Sequence, residues 1–316
     1  MKIAVLDDYL GLSERFADWG DLAPGVTVFR EPLTGDLVET LAPFDVICAM
    51  RERTPLPADL IARLPNLKLI VTTGMRNAAI AVAEATDRGI TVSGTASRTT
   101  ATSHLAMTLI LAATRGLYPN ARSVEVGGWQ APAGRDLHGL TLGLIGLGRL
   151  GAAVAALARP FGMEIIAWSE NLTDARCDEV GVEREASLSD LMARADVASI
   201  HLVLSGRSKG LVGAEALAAA KPDAVLVNTS RGPIIDTPAL LDALRTDRLG
   251  CAALDVFDEE PLPSDHPLRD EGLIARGKML LTPHIGYGAL QTYQAMYRET
   301  AEAVHAFASG SPVRPL

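Results

Sequence analysis

Residues 141–158 read TLGLIGLGRLGAAVAALA: an apolar run, three spaced glycines, then an alanine-rich stretch of helical length. Gly146, Gly148 and Gly151 form GxGxxG, and each glycine has a mechanical reason. The first permits a tight turn, the second lets the backbone approach a pyrophosphate, and the third lets the helix pack close to the strand. The helix N-terminus would then face the anion with unpaired N–H groups. Glycines alone are a weak signal, because any turn uses them. In a strand–turn–helix setting they predict a bound dinucleotide, with Gly146, Gly148, Arg149, Leu150 and Gly151 as its expected contacts.

Outward from this turn, strand-like apolar runs alternate with helix-length segments. KIAVLD, DVICAM, LKLIVTT and GITVSG precede it; MEIIAWS, DVASIHLVL, AVLVNTS, CAALDVF and MLLTPHIG follow. Continuous apolar strands separated by helices predict parallel sheets covered on both faces, an α/β fold. With 316 residues, about two such domains are expected. A helix is predicted from near Thr100 to Arg115. The glycine-rich stretch at 116–139 lacks periodicity and reads as a connector. The segment from Leu290 is amphipathic and should end as a helix at Gly310.

Composition narrows the partners. The formal net charge is −9 and no basic run stands out, which argues against nucleic acid. The apolar stretch at 105–114 is too short for a membrane span, which needs about 20 residues. MKIAVLDD is no secretory signal. Cys48, Cys177 and Cys251 are far apart, share no metal-type spacing with histidine, and read as buried hydrophobes in a reducing cytoplasm. No metal site is expected.

The strand after the turn should end on an acid that grips the ribose hydroxyls. Ser169 stands there and Glu170 follows. A serine tolerates a 2′-phosphate, but no arginine adjoins it, Arg176 lies further along, and Glu170 would repel a phosphate. The cofactor is therefore expected to be NAD or NADP, with NAD preferred.

Three further strand ends carry polar chemistry: NTSRGPIID with Arg231, ALDVFDEEPLP with Asp255 and Glu260, and LLTPHIGYG with His284. Each has a bland alternative, as a surface arginine, a solvated acidic run or a loop histidine. Together they make a fixed cation, an acid and a titratable base, a set that suits reduction of a 2-keto acid by hydride. His284 would exchange the proton on the substrate oxygen. Glu260 would orient its ring and tune it. Arg231, always charged and forked, would polarise the carbonyl and hold the substrate carboxylate.

These segments, with LHGLTLGLIGLGRLG and FGMEIIAWS and in this order, resemble the D-isomer-specific 2-hydroxyacid dehydrogenase family, the glyoxylate and hydroxypyruvate reductases among them. The resemblance covers the chain from about residue 45 onward. It implies two Rossmann-like domains with the active-site cleft between them. A discontinuous, flavodoxin-like substrate domain would comprise 1–99 plus 287–316, and an NAD(P)-binding domain 100–286. It assigns the substrate clamp, the acid and the proton donor to Arg231, Glu260 and His284, and it alone implies D-stereochemistry and a homodimer joined through the helix near 102–115 and the connector. Cofactor contacts beyond the turn are expected from Ser169, Glu170, His201, Thr229, Ser230, Asp255 and Gly286. The loop VTTGMRNAAI at 71–80 matches the family's substrate-carboxylate loop, giving Gly74, Met75 and Arg76 as substrate contacts, with Tyr287 lining the pocket. Met75 and Arg76 replace smaller residues, and Arg76 would favour a larger or doubly acidic substrate. Thr102–Ser103–His104 departs from the family, which has a glutamate nearby. His104 carries no assigned role; His138, His266 and His305 read as loop or surface residues.

Two rivals share the scaffold. In formate dehydrogenase an amide pairs with the histidine, which Glu260 argues against. A dinucleotide-sensing, corepressor-like binding protein could keep the same three residues without turnover.

Overall fold

The computed structural model describes residues 1–96 and 99–316. The chain divides into two compact units, Met1–Arg98 with Ala289–Leu316, and Thr99–Gly288. The breaks expected at 99/100 and 286/287 thus fall at 98/99 and 288/289. Ser97 and Arg98, at the first break, lie outside the described residues.

In the first unit, β1 (Ile3–Val5), β2 (Val26–Val28), β3 (Val46–Ala49), β4 (Leu69–Thr72) and β5 (Thr91–Gly94) form a parallel sheet in the order β2-β1-β3-β4-β5. Short helices connect them: α1 (Ser13–Phe16), α2 (Leu37–Leu41), α3 (Ala58–Ala62) and α4 (Val82–Asp87).

The second unit opens with α5 (Thr99–Thr114) and α6 (Leu117–Glu125). It continues as β6 (Thr141–Ile145), α7 (Arg149–Ala158), β7 (Glu164–Trp168), α8 (Asp174–Val180), β8 (Glu183–Arg184), α9 (Leu188–Arg194) and β9 (Val197–Ile200). It closes with α10 (Ala214–Ala219), β10 (Val225–Asn228), α11 (Thr237–Arg245), β11 (Cys251–Leu254), α12 (Glu271–Ala275) and β12 (Met279–Leu281). Its parallel sheet runs β12-β11-β10-β9-β6-β7-β8. The chain then returns to the first unit as α13 (Leu290–Ala308), which packs on β4 and α1 and buries Tyr293, Met296, Tyr297 and Val304.

The central strands are apolar throughout because both faces are covered. In β10, Val225 and Val227 enter one core with Leu142, Leu144 and Val154, while Leu226 enters the opposite core with Ile145, Ile200 and Leu240. Successive side chains point to opposite faces, and each such burial is worth about 1.5–3 kcal/mol. Two strands escape the sequence reading, β2 and β8. Both are sheet edges. β2 has three half-buried or exposed residues and β8 two exposed ones, so neither shows a continuous apolar run.

A second difference lies in the connector. Residues 117–125 form α6, of which no residue is buried. Its apolar residues Leu117, Tyr118 and Val124 are exposed, so no core contact marks the helix.

The strand order reverses between β6 and β9, the position where such sheets bind ligands at their carboxyl ends. The residues just past the five strands β6, β9, β10, β11 and β12 are Gly146, His201, Thr229, Asp255 and Thr282, so the sheet delivers them to one edge. Among the described residues no helix is long and apolar enough to cross a membrane, and no cluster of metal-ligating side chains occurs.

Candidate active site

The phosphate turn has the geometry its glycines require. Gly146 adopts φ +107°, and a Cβ there would meet the His201 carbonyl oxygen at 2.8 Å. A Cβ on Gly151 would lie 2.2 Å from the Gly146 carbonyl oxygen. Gly148 differs: no atom lies within 4 Å of a Cβ built on it. It also caps α7 without a side-chain hydrogen bond. The first amides of that helix, beginning at Arg149 and Leu150, therefore open onto an uncrowded backbone.

Polar atoms around the turn await a partner. Both ring nitrogens of His201 and Oγ1 of Thr229 are buried without a hydrogen bond. Burial pushes the His201 imidazole down to about 4, so the ring is neutral. An uncrowded glycine backbone, free helix amides and orphaned buried donors and acceptors together fit a dinucleotide.

Ser169 follows β7 directly, its carbonyl accepting the Leu172 amide at 3.0 Å, and Glu170 is exposed. Arg176, expected further along the loop, stands in α8: its Nε donates to the Leu147 carbonyl at 3.0 Å and an Nη to the Gly148 carbonyl at 3.4 Å. The other Nη pairs with Glu179 at 2.7 Å. The guanidinium braces the turn with most of its donors.

At the β10 end, Ser230 Oγ donates to the Ile200 carbonyl at 2.8 Å, and Asn228 holds the loop through the Ser230 amide and the Arg231 carbonyl. One Arg231 Nη donates to the Ser230 carbonyl at 2.7 Å. Next to it, Gly232 lets this loop touch the one after β11, since a Cβ there would fall 2.0 Å from the Phe257 carbonyl carbon and 2.4 Å from the Asp258 nitrogen. The arginine and glutamate loops are thereby packed together.

Glu260, though in an exposed acidic run, has both carboxylate oxygens engaged. Its Oε1 accepts the Phe257 amide at 2.8 Å, and its Oε2 lies 2.5 Å from Nδ1 of His284. With Nδ1 so engaged, Nε2 is the nitrogen left to exchange a proton. His284 sits at φ +52°, and the Tyr287 ring meets it edge-on at 5.8 Å. Asp255, fully buried, fastens the histidine loop: Oδ1 accepts from Thr282 Oγ1 at 2.6 Å and the Ile285 amide at 2.9 Å, and Oδ2 from the Gly286 amide at 2.7 Å. Burial raises the Asp255 carboxyl, opposed by these hydrogen bonds and the charge of His284. Asp255 and Gly286, expected on the cofactor, are thus bonded to each other in holding this loop.

In the first unit, Gly74 sits at φ +101°, but its amide is donated to Thr95 Oγ1 at 2.9 Å. Asn77 ties the loop to Arg51 and Thr72, leaving Met75 and Arg76 exposed. The sequence reading missed Arg51, whose guanidinium lies against Gly74 and donates to the Thr73 carbonyl at 3.1 Å. The signal was present: RER follows the apolar DVICAM, as Arg231 follows its own strand. His266, expected as a loop or surface residue, does lie in a loop, but only 11% of its side chain is exposed and it is paired with Asp258.

A doubly wound unit with this turn, and a histidine–carboxylate pair on the same sheet edge, defines a dinucleotide-dependent oxidoreductase scaffold. The family model described as D-isomer specific 2-hydroxyacid dehydrogenase, NAD binding domain, matches residues 107–286. A glyoxylate reductase of Aeropyrum pernix is 37% identical over 265 residues, covering 81% of this chain and 77% of that protein. A D-3-phosphoglycerate dehydrogenase of Mycobacterium leprae is 34% identical over 265 residues, covering 83% of this chain and 49% of the relative. The chain thus spans about half the length of that relative. The crystal structure of a phosphoglycerate oxidoreductase from Vibrio cholerae superposes with a TM-score of 0.89 at 34% identity, covering 98% of this chain and 100% of that one. The chain belongs to the D-isomer specific 2-hydroxyacid dehydrogenase family.

Proposed function

We propose that the protein interconverts a small 2-keto acid and the corresponding D-2-hydroxy acid, with His284 as acid and base, Glu260 tuning it and Arg231 holding the substrate. The observation that carries the reading is the 2.5 Å approach of Glu260 Oε2 to His284 Nδ1, with the same carboxylate fixed by the Phe257 amide. A bound nicotinamide supplies or accepts the hydride. His284 gives its Nε2 proton to the carbonyl oxygen as C2 is reduced, and takes it back in oxidation. Glu260 keeps the ring turned so that Nε2 meets the substrate and compensates the imidazolium charge. The Arg231 fork holds the substrate carboxylate and polarises the carbonyl. Tyr287, edge-on to the His284 ring, is assigned to the pocket wall.

NAD is preferred over NADP. The Arg176 donors are committed to Leu147, Gly148 and Glu179, and the exposed Glu170 adds a like charge against a 2′-phosphate. Leu117, Tyr118, Val124, Val126 and Trp129 form an exposed apolar group on and after α6, which supports a homodimer. Three free buried thiols suit a reducing cytoplasm.

The test is NADH and NADPH oxidation with a panel including glyoxylate, hydroxypyruvate and bulkier or dicarboxylic keto acids. Turnover of at least one, faster with NADH, is expected. Tight NADH binding with no turnover of any would sink the reading in favour of a sensor.

A further inference from the structure

Glu260 stands on a loop without regular structure, packed at its start against Gly232. Asp258, Glu259 and Glu260 are all exposed, and no regular structure intervenes between β11 and the single turn Pro267–Arg269. Yet its carboxylate must hold a 2.5 Å contact. That single turn supplies what the loop lacks. Leu268, 2% exposed, seats it in the core. From this anchor two side chains reach back to either side of Glu260. His266 Nε2 lies 3.1 Å from Asp258 Oδ1. Arg269 donates through Nε to the Pro263 carbonyl at 2.7 Å and through Nη2 to the Leu262 carbonyl at 2.8 Å. The tautomer of His266 follows from the network: Nδ1 accepts the Leu268 amide at 3.2 Å, so Nε2 carries the hydrogen and donates to Asp258.

We infer that His266 is a positioning residue for the acid of the site, acting through Asp258 to hold the Glu260 carboxylate on His284. The inference rests on the roles proposed above for Glu260 and His284. The charged and titratable groups gathered at this edge are Asp258, Glu259 and Asp265 on the same loop, Asp255 beneath the histidine loop, Arg231 at the β10 end, and Arg269 on the anchoring turn. Of these, Asp258 is the one His266 touches. Losing this hydrogen bond lets the loop relax, and the Glu260–His284 contact loosens with it.

The two nitrogens of His266 can be separated by substitution. His266→Gln keeps an N–H near the Nε2 position, and His266→Asn keeps an acceptor near Nδ1 for the Leu268 amide. With Gln, kcat and its pH profile should stay near those of the parent. With Asn, kcat should fall about tenfold, the size expected for losing one hydrogen bond to a charged group, and the pH profile should move in the direction Glu260→Gln moves it. The NADH Kd should hold in both. Equal losses in the two variants, or an unmoved profile in His266→Asn, would overturn the inference. A readout that needs no turnover keeps it separate from the proposed reaction: the imidazole N–H resonance of His284 bonded to Glu260, seen by ¹⁵N NMR of the full chain. It should persist in His266→Gln and broaden away in His266→Asn. Persistence in both would defeat the positioning role even if the enzyme is active, and its loss only in Asn would support it even if every keto acid fails.

Discussion

Glu260 grips two partners at once, the His284 ring through Oε2 at 2.5 Å and the Phe257 amide through Oε1 at 2.8 Å. A carboxylate anchored at one oxygen cannot swing away from the imidazole at the other. His284→Ala should therefore lose on the order of 10²-fold or more in kcat/KM, as removal of a general acid does. Glu260→Gln should lose less and displace the pH profile, because an amide still orients the ring but no longer compensates its charge. Steady-state kinetics across pH 5–9 would check both, and near-normal activity in His284→Ala would refute the assignment.

Arg231 lies in a loop made rigid by Asn228 and brought against the glutamate loop by Gly232. Arg231→Ala is expected to lose about 10²-fold or more in kcat/KM. Arg231→Lys should recover little, since a point charge cannot reproduce a planar fork. NADH binding, measured by fluorescence, should be unchanged in both.

The same substitution should act differently at two glycines of one turn. In Gly151→Ala the new methyl meets backbone at 2.2 Å and nothing flexible can yield, so the variant should lose about 1–3 kcal/mol of stability as well as cofactor affinity. In Gly148→Ala the methyl enters open space. The melting temperature should hold while the NADH Kd rises, because the methyl occupies the approach meant for the pyrophosphate. Unchanged NADH affinity in Gly148→Ala would contradict the placement of the phosphates.

His201 makes stability depend on pH in a definite direction. Its folded pKa is lowered by burial to about 4 from the ordinary 6.5. Between those values the unfolded chain takes a proton that the folded chain refuses, so its contribution is intact above 6.5 and is lost as pH falls toward 4. The slope is at most about 1.4 kcal/mol per pH unit. Urea unfolding of the cofactor-free protein at pH 7, 6 and 5 should show the parent losing ground relative to His201→Leu. Parallel curves would argue that the ring is solvated.

Cys48 and Cys251 are pushed up to about 12 by burial, and burial raises the Cys177 thiol as well. The thiolate is the reactive form, so a thiol reagent at pH 8 should find no fast-reacting group in the native protein and three after denaturation. A fast native titration would show that one of these thiols is reachable.

What the sequence made legible follows from how the sheet is buried. β3, β4, β6, β9, β10 and β11 read as unbroken apolar runs because their residues are covered on both faces. The edges β2 and β8, and α6 with its exposed surface, carry no such imprint. Arg231, Glu260 and His284 stood out because each interrupts or follows an apolar run at a strand end. Arg176 and His266 did not, and Asp255 stood out only as a cofactor contact, since their parts depend on bonds formed only in the folded chain: to the carbonyls of Leu147 and Gly148, to Asp258, and to the loop at 282–286. Spacing along the chain records which residues leave a strand together. It does not record which side chain turns back.

The path of α13 has a consequence for how the molecule is made. The helix that covers β4 is encoded after the whole of the second unit, so the sheet of the first unit leaves the ribosome well before the helix that completes it. A nascent chain paused just before Ala289 would carry a finished second unit and a first unit whose β4 is still uncovered, and that sheet is where a chaperone should find its purchase.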